Sequence, residues 1–199
     1  MLQIMIILLI SVSAKASVLG ISTHPLDSRA RVLSAEMTGY FSQHHEMGMG
    51  MRYTQDVDAT TRADFMAAGG QDSRGLIAGG GVDFEMIHED VSAPRFSVKP
   101  FVQYIRFETA SDTVLGVAPS MRKELSIQGF EFFPYLGLPA GMKIDTTTDE
   151  FVYYASLSLG ASMPFPGDRS EKLLLSIEGN KNLGAASDYL GALISWVWN

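Results

Sequence analysis

Cysteine is absent from all 199 residues, which excludes disulfide frameworks, thiolate metal sites and cysteine nucleophiles. Basic residues are in the minority: 15 Lys and Arg stand against 22 Asp and Glu, a formal net charge of −7. Nucleic-acid partners are therefore not expected, because a phosphate backbone is held by a basic face. Long apolar runs are scarce as well. After residue 16 no stretch approaches the roughly 20 residues that carry a helix through a bilayer. Any membrane span beyond that point has to be made of strands. Sustained helical periodicity is also missing, with Val57 to Ala68 the one ambiguous stretch.

What is present begins with Met1 to Ala16, MLQIMIILLISVSAKA. An apolar run from Ile4 to Ile10 leads through small polar residues to Ala14-Lys15-Ala16. This is the hydrophobic region and A-x-A site of a secretory signal peptide, with cleavage expected between Ala16 and Ser17. No Lys or Arg precedes the run, so its positive end is the α-amino group alone. Residues 17–31 contain Pro25 and show no sustained period; they read as a leader ahead of one domain spanning 32–199.

From Val32 the pattern is two-fold, as in a strand whose successive side chains point to opposite faces. Leu33, Ala35, Met37 and Phe41 share one face, with Gly39 among them, and Ser34, Glu36 and Thr38 share the other. In EMGMGMRY, Met47, Met49, Met51 and Tyr53 lie opposite Gly48, Gly50 and Arg52. A helix would scatter those methionines round its circumference. The alternation recurs in LIAGGGVDFEMI, FSVKPFVQYIRFE, ELSIQGFEFFPYLGL, FVYYASLSLGASM, EKLLLSIEG and DYLGALISWVW. Pro100 is acceptable in such a strand only at an edge or bulge, where no ladder donor is needed. Weaker candidates lie at Thr61–Ala68 and Thr113–Ala118. MKIDTTTDE and NKNLGAAS read as polar loops and Pro164-Phe165-Pro166-Gly167-Asp168 as a tight turn.

The fold class expected is all-β: a single antiparallel transmembrane β-barrel of eight to ten strands. A single-chain barrel needs an even number, and ten is preferred because eight demands a long turn between residues 109 and 123. Small and charged residues line one face of many strands, as in a polar lumen. Aromatics gather near strand ends at Tyr40, Phe41, Tyr53, Phe130 to Tyr135, Phe151 to Tyr154, Trp196 and Trp198, and Tyr and Trp favour a bilayer interface. The last strand places Leu190, Ala192, Ile194, Trp196 and Trp198 on one face.

At this strand, and in the pattern of residues 32–199, the chain resembles the small outer-membrane β-barrel proteins of the OmpA and OmpX type. The resemblance implies residence in the outer membrane of a Gram-negative bacterium, with lipid and lipopolysaccharide as partners. It also implies recognition of Trp196 and Trp198 by the barrel-assembly machinery and a monomeric state. The chain departs from the usual pattern by placing Asn199 after the aromatic. Architecture of this kind does not fix function.

Residues able to carry chemistry are few. Asp83-Phe84-Glu85-Met86-Ile87-His88-Glu89-Asp90 is the densest polar cluster; on a regular strand Asp83, Glu85 and Ile87 share one face and His88 and Asp90 the other. A rim hydrolase would need His88 within reach of a carboxylate or serine, whereas a polar strand end running into a turn needs nothing more. His44-His45-Glu46 lies between two strands and offers imidazole nitrogens to a metal, but adjacent histidines on a strand point to opposite faces and chelate poorly unless the turn bends them together. Gly79-Gly80-Gly81 lacks the Lys-Ser/Thr and following helix of a phosphate loop. Glu36, Asp83, Glu85 and Glu178 with Arg52, Arg62, Lys99 and Arg106 are expected to form ion pairs that plug a narrow lumen.

No catalytic, cofactor-binding or metal-ligating residue is assigned, and no cofactor is expected. The favoured reading is a structural or surface-exposed barrel without catalytic role. The alternatives are a narrow pore for small solutes, a rim-active hydrolase of lipid or peptide, and a soluble periplasmic barrel binding a small ligand.

Overall fold

The computed structural model describes residues 31–40, 46–70, 75–106, 111–127, 130–145, 150–165, 172–183 and 188–198. The signal segment, most of the leader, His24, His44 and His45 lie outside the described residues. All regular structure among those described is strand. The strands are β1 (Arg31–Tyr40), β2 (Glu46–Asp56), β3 (Thr61–Gly70), β4 (Leu76–Ile87), β5 (Arg95–Arg106) and β6 (Ser111–Arg122). They continue with β7 (Leu125–Ile127), β8 (Phe130–Gly137), β9 (Ala140–Asp145), β10 (Glu150–Pro164), β11 (Leu173–Asn182) and β12 (Tyr189–Trp198).

Each strand pairs antiparallel with its neighbours, and β12 pairs with β1 from Arg31↔Trp198 to Tyr40↔Tyr189, which closes the ring. β8 and β9 follow one another along a single stave between β6 and β10, interrupted at Leu138-Pro139. The result is a closed antiparallel ten-stranded β-barrel, with β7 as a short arm paired to β8. Closure is the physical solution for a sheet this long, since it leaves no unpaired edge.

The two weak candidates are full staves, lying within β3 and β6, so the preferred count of ten is the observed one. Several strand boundaries are corrected. Asn180 to Asn182, assigned to a polar loop, end β11. Met142 to Asp145, assigned to a polar loop, form most of β9, because Lys143 is an inward-facing residue paired with Asp112. ELSIQGFEFFPYLGL is two strands rather than one: β7 folds back on β8 with Leu125↔Phe132 and Ile127↔Phe130 in register. Pro100 falls in a gap of the β4–β5 ladder, which runs to Gly81↔Phe101 and resumes at Phe84↔Val98. The register is unchanged across that gap and β5 is paired on both sides, so Pro100 marks neither an edge nor a bulge.

Alternation sorts the side chains with unusual polarity. Inward positions include Ser34, Glu36, Thr38, Arg52, Thr54, Asp64, Lys99, Ser158, Ser162 and Glu178, all buried. The outward face carries Met37, Met51, Phe65, Leu76, Val102, Leu115, Val117, Leu159, Ile177, Leu190, Ile194 and Trp196, all exposed. A soluble fold buries its apolar face; this barrel turns it outward. Arg106, expected inside, is exposed because its register partners Leu76 and Ser111 place it on the outer face. Among the aromatics read as interfacial, Phe133, Tyr135 and Tyr154 instead point inward and are buried.

Two rims follow from the strand directions. The terminal rim holds Arg31, Trp198, residues 57–60 and 88–94 and the β7–β8 hairpin. Near it the Trp196 and Trp198 rings lie 5.3 Å apart between centroids, tilted by 41°, and Tyr53 lies 6.3 Å from Trp198. Nearer the opposite rim a small apolar cluster of Met66, Ala68, Ile77, Ile105, Val114 and Tyr154, with Phe101 against it, fills the interior. Gly116 makes room for it: a Cβ there would lie 2.6 Å from Phe101 Cζ and 2.7 Å from Tyr154 Oη.

Candidate functional site

The interior is the place where this chain concentrates its polar chemistry, and strand register builds it in tiers. In the central tier Glu36 on β1 and Arg52 on β2 meet with Nε 2.7 Å from Oε1. Arg52 Nη1 lies 3.9 Å from Asp64 on β3, and Lys99 on β5 closes on the same carboxylate, Nζ to Oδ2 2.7 Å. Beside this chain of charges, Glu178 on β11 accepts hydrogen bonds from the Tyr135 hydroxyl at 2.7 Å and from the Tyr189 hydroxyl. Ion pairs out of water need partners on several sides, and here neighbouring strands set opposite charges side by side.

Hydroxyl pairs extend the packing. Ser34 and Ser195 meet at 2.9 Å, Ser97 and Ser120 at 3.0 Å, and Ser162 and Ser176 at 2.8 Å. Asn180 donates to Ser156 at 3.0 Å and to Ser158 at 2.7 Å. Toward the terminal rim stand three arginines, each with an acidic partner. Arg62 meets Asp56 at 2.8 Å; Arg95 meets Asp83 at 3.2 Å and Glu85 at 2.8 Å; Arg122 meets Glu89 at 3.0 Å. Arg122 also lies over the Phe133 ring, 5.7 Å from its centroid. Among these groups Asp83, Arg95, Ser97, Ser120 and Arg122 enclose a cavity of about 10 Å³, close to the volume one water needs.

Of the expected ion-pairing residues, Glu36, Asp83, Glu85, Arg52, Arg62 and Lys99 are paired in the interior, whereas Glu178 is held by two tyrosines. Asp64, Arg95, Arg122, Tyr135 and Tyr189 were not anticipated. Strand parity held the signal for Asp64, which alternates with Phe65 and shares a face with Arg62.

The polar cluster at the end of β4 is rearranged by a register shift between Glu85 and Ile87. Ile87 falls opposite Phe96 and is exposed, so it does not share a face with Glu85 as regular alternation requires. His88 Nδ1 lies 2.5 Å from Glu85 Oε1. Its ring is open to solvent, and the Glu85 carboxylate is also held by Arg95. Ser92 donates to Asp90 at 2.8 Å, and no described hydrogen bond joins His88 to a hydroxyl. The His88–Glu85 pair ties the end of β4 at the rim. Glu46 begins β2, but its histidine neighbours lie outside the described residues. Among the described residues no three His, Asp or Glu side chains converge to hold a metal ion.

In the exposed turns, carboxylates cap backbone amides. Asp90 accepts from Ala93 N–H at 2.7 Å and from Ser92 N–H at 2.7 Å, and the backbone bond from Ala93 leads in holding its carboxyl below the ordinary aspartate range. Asp58 is lowered in the same way, chiefly by the backbone N–H of Thr60 at 2.8 Å.

No protein-family model and no curated protein sequence matches the chain. Solved structures with a similar strand arrangement include an outer-membrane channel from Pseudomonas putida F1, 9% identical over 92% of this chain and 100% of that one, TM-score 0.47. The translocator domain of the autotransporter NalP from Neisseria meningitidis is 9% identical over 89% and 90%, TM-score 0.42. Ail, the attachment invasion locus protein of Yersinia pestis, is 10% identical over 87% and 100%, TM-score 0.34. The likeness is to a strand architecture, at identities and scores too low to extend to function.

Proposed function

We propose that the chain is an exported barrel of the outer membrane, closed through its centre by its own side chains, with a structural or surface-exposed role rather than a transport or catalytic one. The observation that carries this is the inverted polarity of the wall: charged and hydroxyl side chains buried inside, exposed Met, Leu, Val, Ile and Phe outside. Strand length agrees with it. Most staves run 10 to 12 residues, and a tilted strand needs about 9–11 to cross a bilayer. The outer face is apolar between Arg31, Gln55 and Thr61 at the terminal rim and Arg106 and Lys181 toward the other, and lipid covers such a belt without cost.

The interior supports the plugged form over the pore. Arg52 and Glu178 are each only 1% exposed, and the ion pairs, tyrosines and serine pairs around them occupy the path a solute would take. Partners on this reading are membrane phospholipid, lipopolysaccharide in the outer leaflet, and the assembly machinery through Trp196 and Trp198, with the barrel acting as a monomer.

Refolded protein in planar bilayers of phosphatidylethanolamine and phosphatidylglycerol should give no stable conductance steps in salt. A persistent open level would replace the plugged barrel with a pore. Fractionation of the expressing cell should place the mature chain with outer membranes, and its recovery in the soluble periplasm would refute the membrane reading.

A further inference from the structure

One part of the barrel leaves the common outline. β5 stops at Arg95, opposite Arg122 on β6, but the β6–β8 register continues beyond that pair. Lys123 N–H donates to Pro134 O at 3.1 Å, and Leu125↔Phe132 and Ile127↔Phe130 extend the same line as β7 and β8. The wall here runs past the terminal rim as a two-stranded hairpin, paired to the barrel through β8.

The hairpin has two unlike faces. Phe130 and Phe132 alternate with Pro134 and Leu136 on the outer face of β8, and cross-strand pairing puts Leu125 and Ile127 on that same face. Leu125 is 38% exposed, Ile127 58% and Phe130 50%. Ser126 and Glu131 lie on the other face, both exposed. At this rim the outer face turns polar on β1, β2 and β3, at Arg31, Gln55 and Thr61, while the end of β4 keeps Phe84, Met86 and Ile87 exposed. At the hairpin the apolar outer face runs on past the ends of β5 and β6 as paired strand. Its base is fixed: Lys123 Nζ donates to the carbonyls of Asp90 and of Ala93, the latter at 3.3 Å, and Glu124 N–H donates to Glu89. These bonds hold the hairpin in line with the wall rather than across the lumen mouth.

We infer that the outer face of the β7–β8 hairpin docks on the phospholipid leaflet at the terminal rim, seating Leu125, Ile127, Phe130 and Phe132 in the headgroup and upper acyl region. The inference rests on the membrane reading above. Its basis is continuity: the face prolongs the apolar belt without a break, and a bilayer is the one partner that belt already requires. Aromatic and branched apolar residues are stable at such an interface, where one side is wet and the other oily. Docked lipid would anchor one side of the barrel more deeply than the others and set its tilt.

The cysteine-free chain allows a direct test by spin labelling. Ile127→Cys, Phe130→Cys, Ser126→Cys and Glu131→Cys carry the nitroxide on the hairpin, and Val117→Cys carries it on the belt. Each is refolded into phosphatidylethanolamine–phosphatidylglycerol vesicles and probed with oxygen and with a water-soluble nickel chelate. The oxygen-to-chelate accessibility ratio should be severalfold higher at 127 and 130 than at 126 and 131. Equal, chelate-favouring ratios at all four hairpin sites would place it in water, and low accessibility to both probes at 127 and 130 would place it against protein; either overturns the inference. Loss of oxygen preference at 117 would instead refute the membrane reading itself.

Discussion

Tyr135 reaches Glu178 by lying across Gly160. The three residues stand side by side on β8, β11 and β10, with Gly160 paired to Tyr135 on one side and to Glu178 on the other. The tyrosine hydroxyl donates to the carboxylate at 2.7 Å over the intervening backbone. A Cβ on Gly160 would sit well inside van der Waals contact with the Tyr135 ring. Gly160→Ala is therefore expected to lower the stability of the folded barrel by about 1–3 kcal/mol through overpacking, read from urea unfolding in vesicles. In a Tyr135→Ala background the same change should cost little more, because the two effects share one cause. Additive losses would show that Gly160 acts on something other than the tyrosine.

Arg52 is the hub of the central tier, flanked by Glu36 at 2.7 Å and Asp64 at 3.9 Å. Breaking a buried pair leaves an uncompensated charge, so Arg52→Met should cost about 3–5 kcal/mol. Adding Glu36→Gln removes the stranded carboxylate, and Asp64 keeps Lys99. The double variant is expected to regain most of the loss in the same unfolding measurement. If it stays as unstable as Arg52→Met, arginine packing rather than charge pairing holds this tier.

The barrel was legible in sequence because its two faces differ so sharply: MGMGM and YASLSLGAS admit no helical reading. Parity assigned lumen and outer faces correctly for Glu36, Arg52, Lys99 and Glu178. It failed where the ladder is irregular. The shift between Glu85 and Ile87 rotates Ile87 to the outer face, and no composition signal marks such a bulge. β9 was hidden by Lys143, since a strand with an inward-facing charge resembles a loop until its partner Asp112 is known. The fold-back of Leu125 to Ile127 on β8 hangs on chain reversal, and continuous alternation gave no sign of it. Tyr135 was out of reach for a different reason: its partner Glu178 lies two staves away and 43 residues along the chain.

The β4–β5 turn is tied by Asp90, whose carboxylate accepts from Ser92 N–H, Ser92 Oγ and Ala93 N–H. These bonds favour the ionised form and lower its pKa. A depressed carboxyl contributes stability that is fully present above the unfolded value and is lost as pH falls through the folded one. The Ser92 and Ala93 amide protons should titrate together with a midpoint below the ordinary aspartate value of about 3.9, followed by NMR in detergent micelles. Asp90→Ala should abolish that titration and loosen the turn at neutral pH. A midpoint at or above the ordinary value would mean the cap does not form in solution.

The membrane reading makes a quantitative demand on the outer face. Val117 on β6 lies in the apolar belt and is 48% exposed, while Val91, in the turn after β4, is fully exposed. In water both sites would accept arginine easily. In a bilayer, Val117→Arg forces a cation into hydrocarbon and is expected to cost about 2–4 kcal/mol if the site lies near the midplane. Val91→Arg stays in water and should change stability by no more than about 0.5 kcal/mol. Folding free energies of the two variants in phosphatidylglycerol-containing vesicles check the pair directly. Equal, small effects would mean that the outward apolar face meets water or a protein surface able to solvate the charge, and the reading of this barrel as a membrane protein would fall with them.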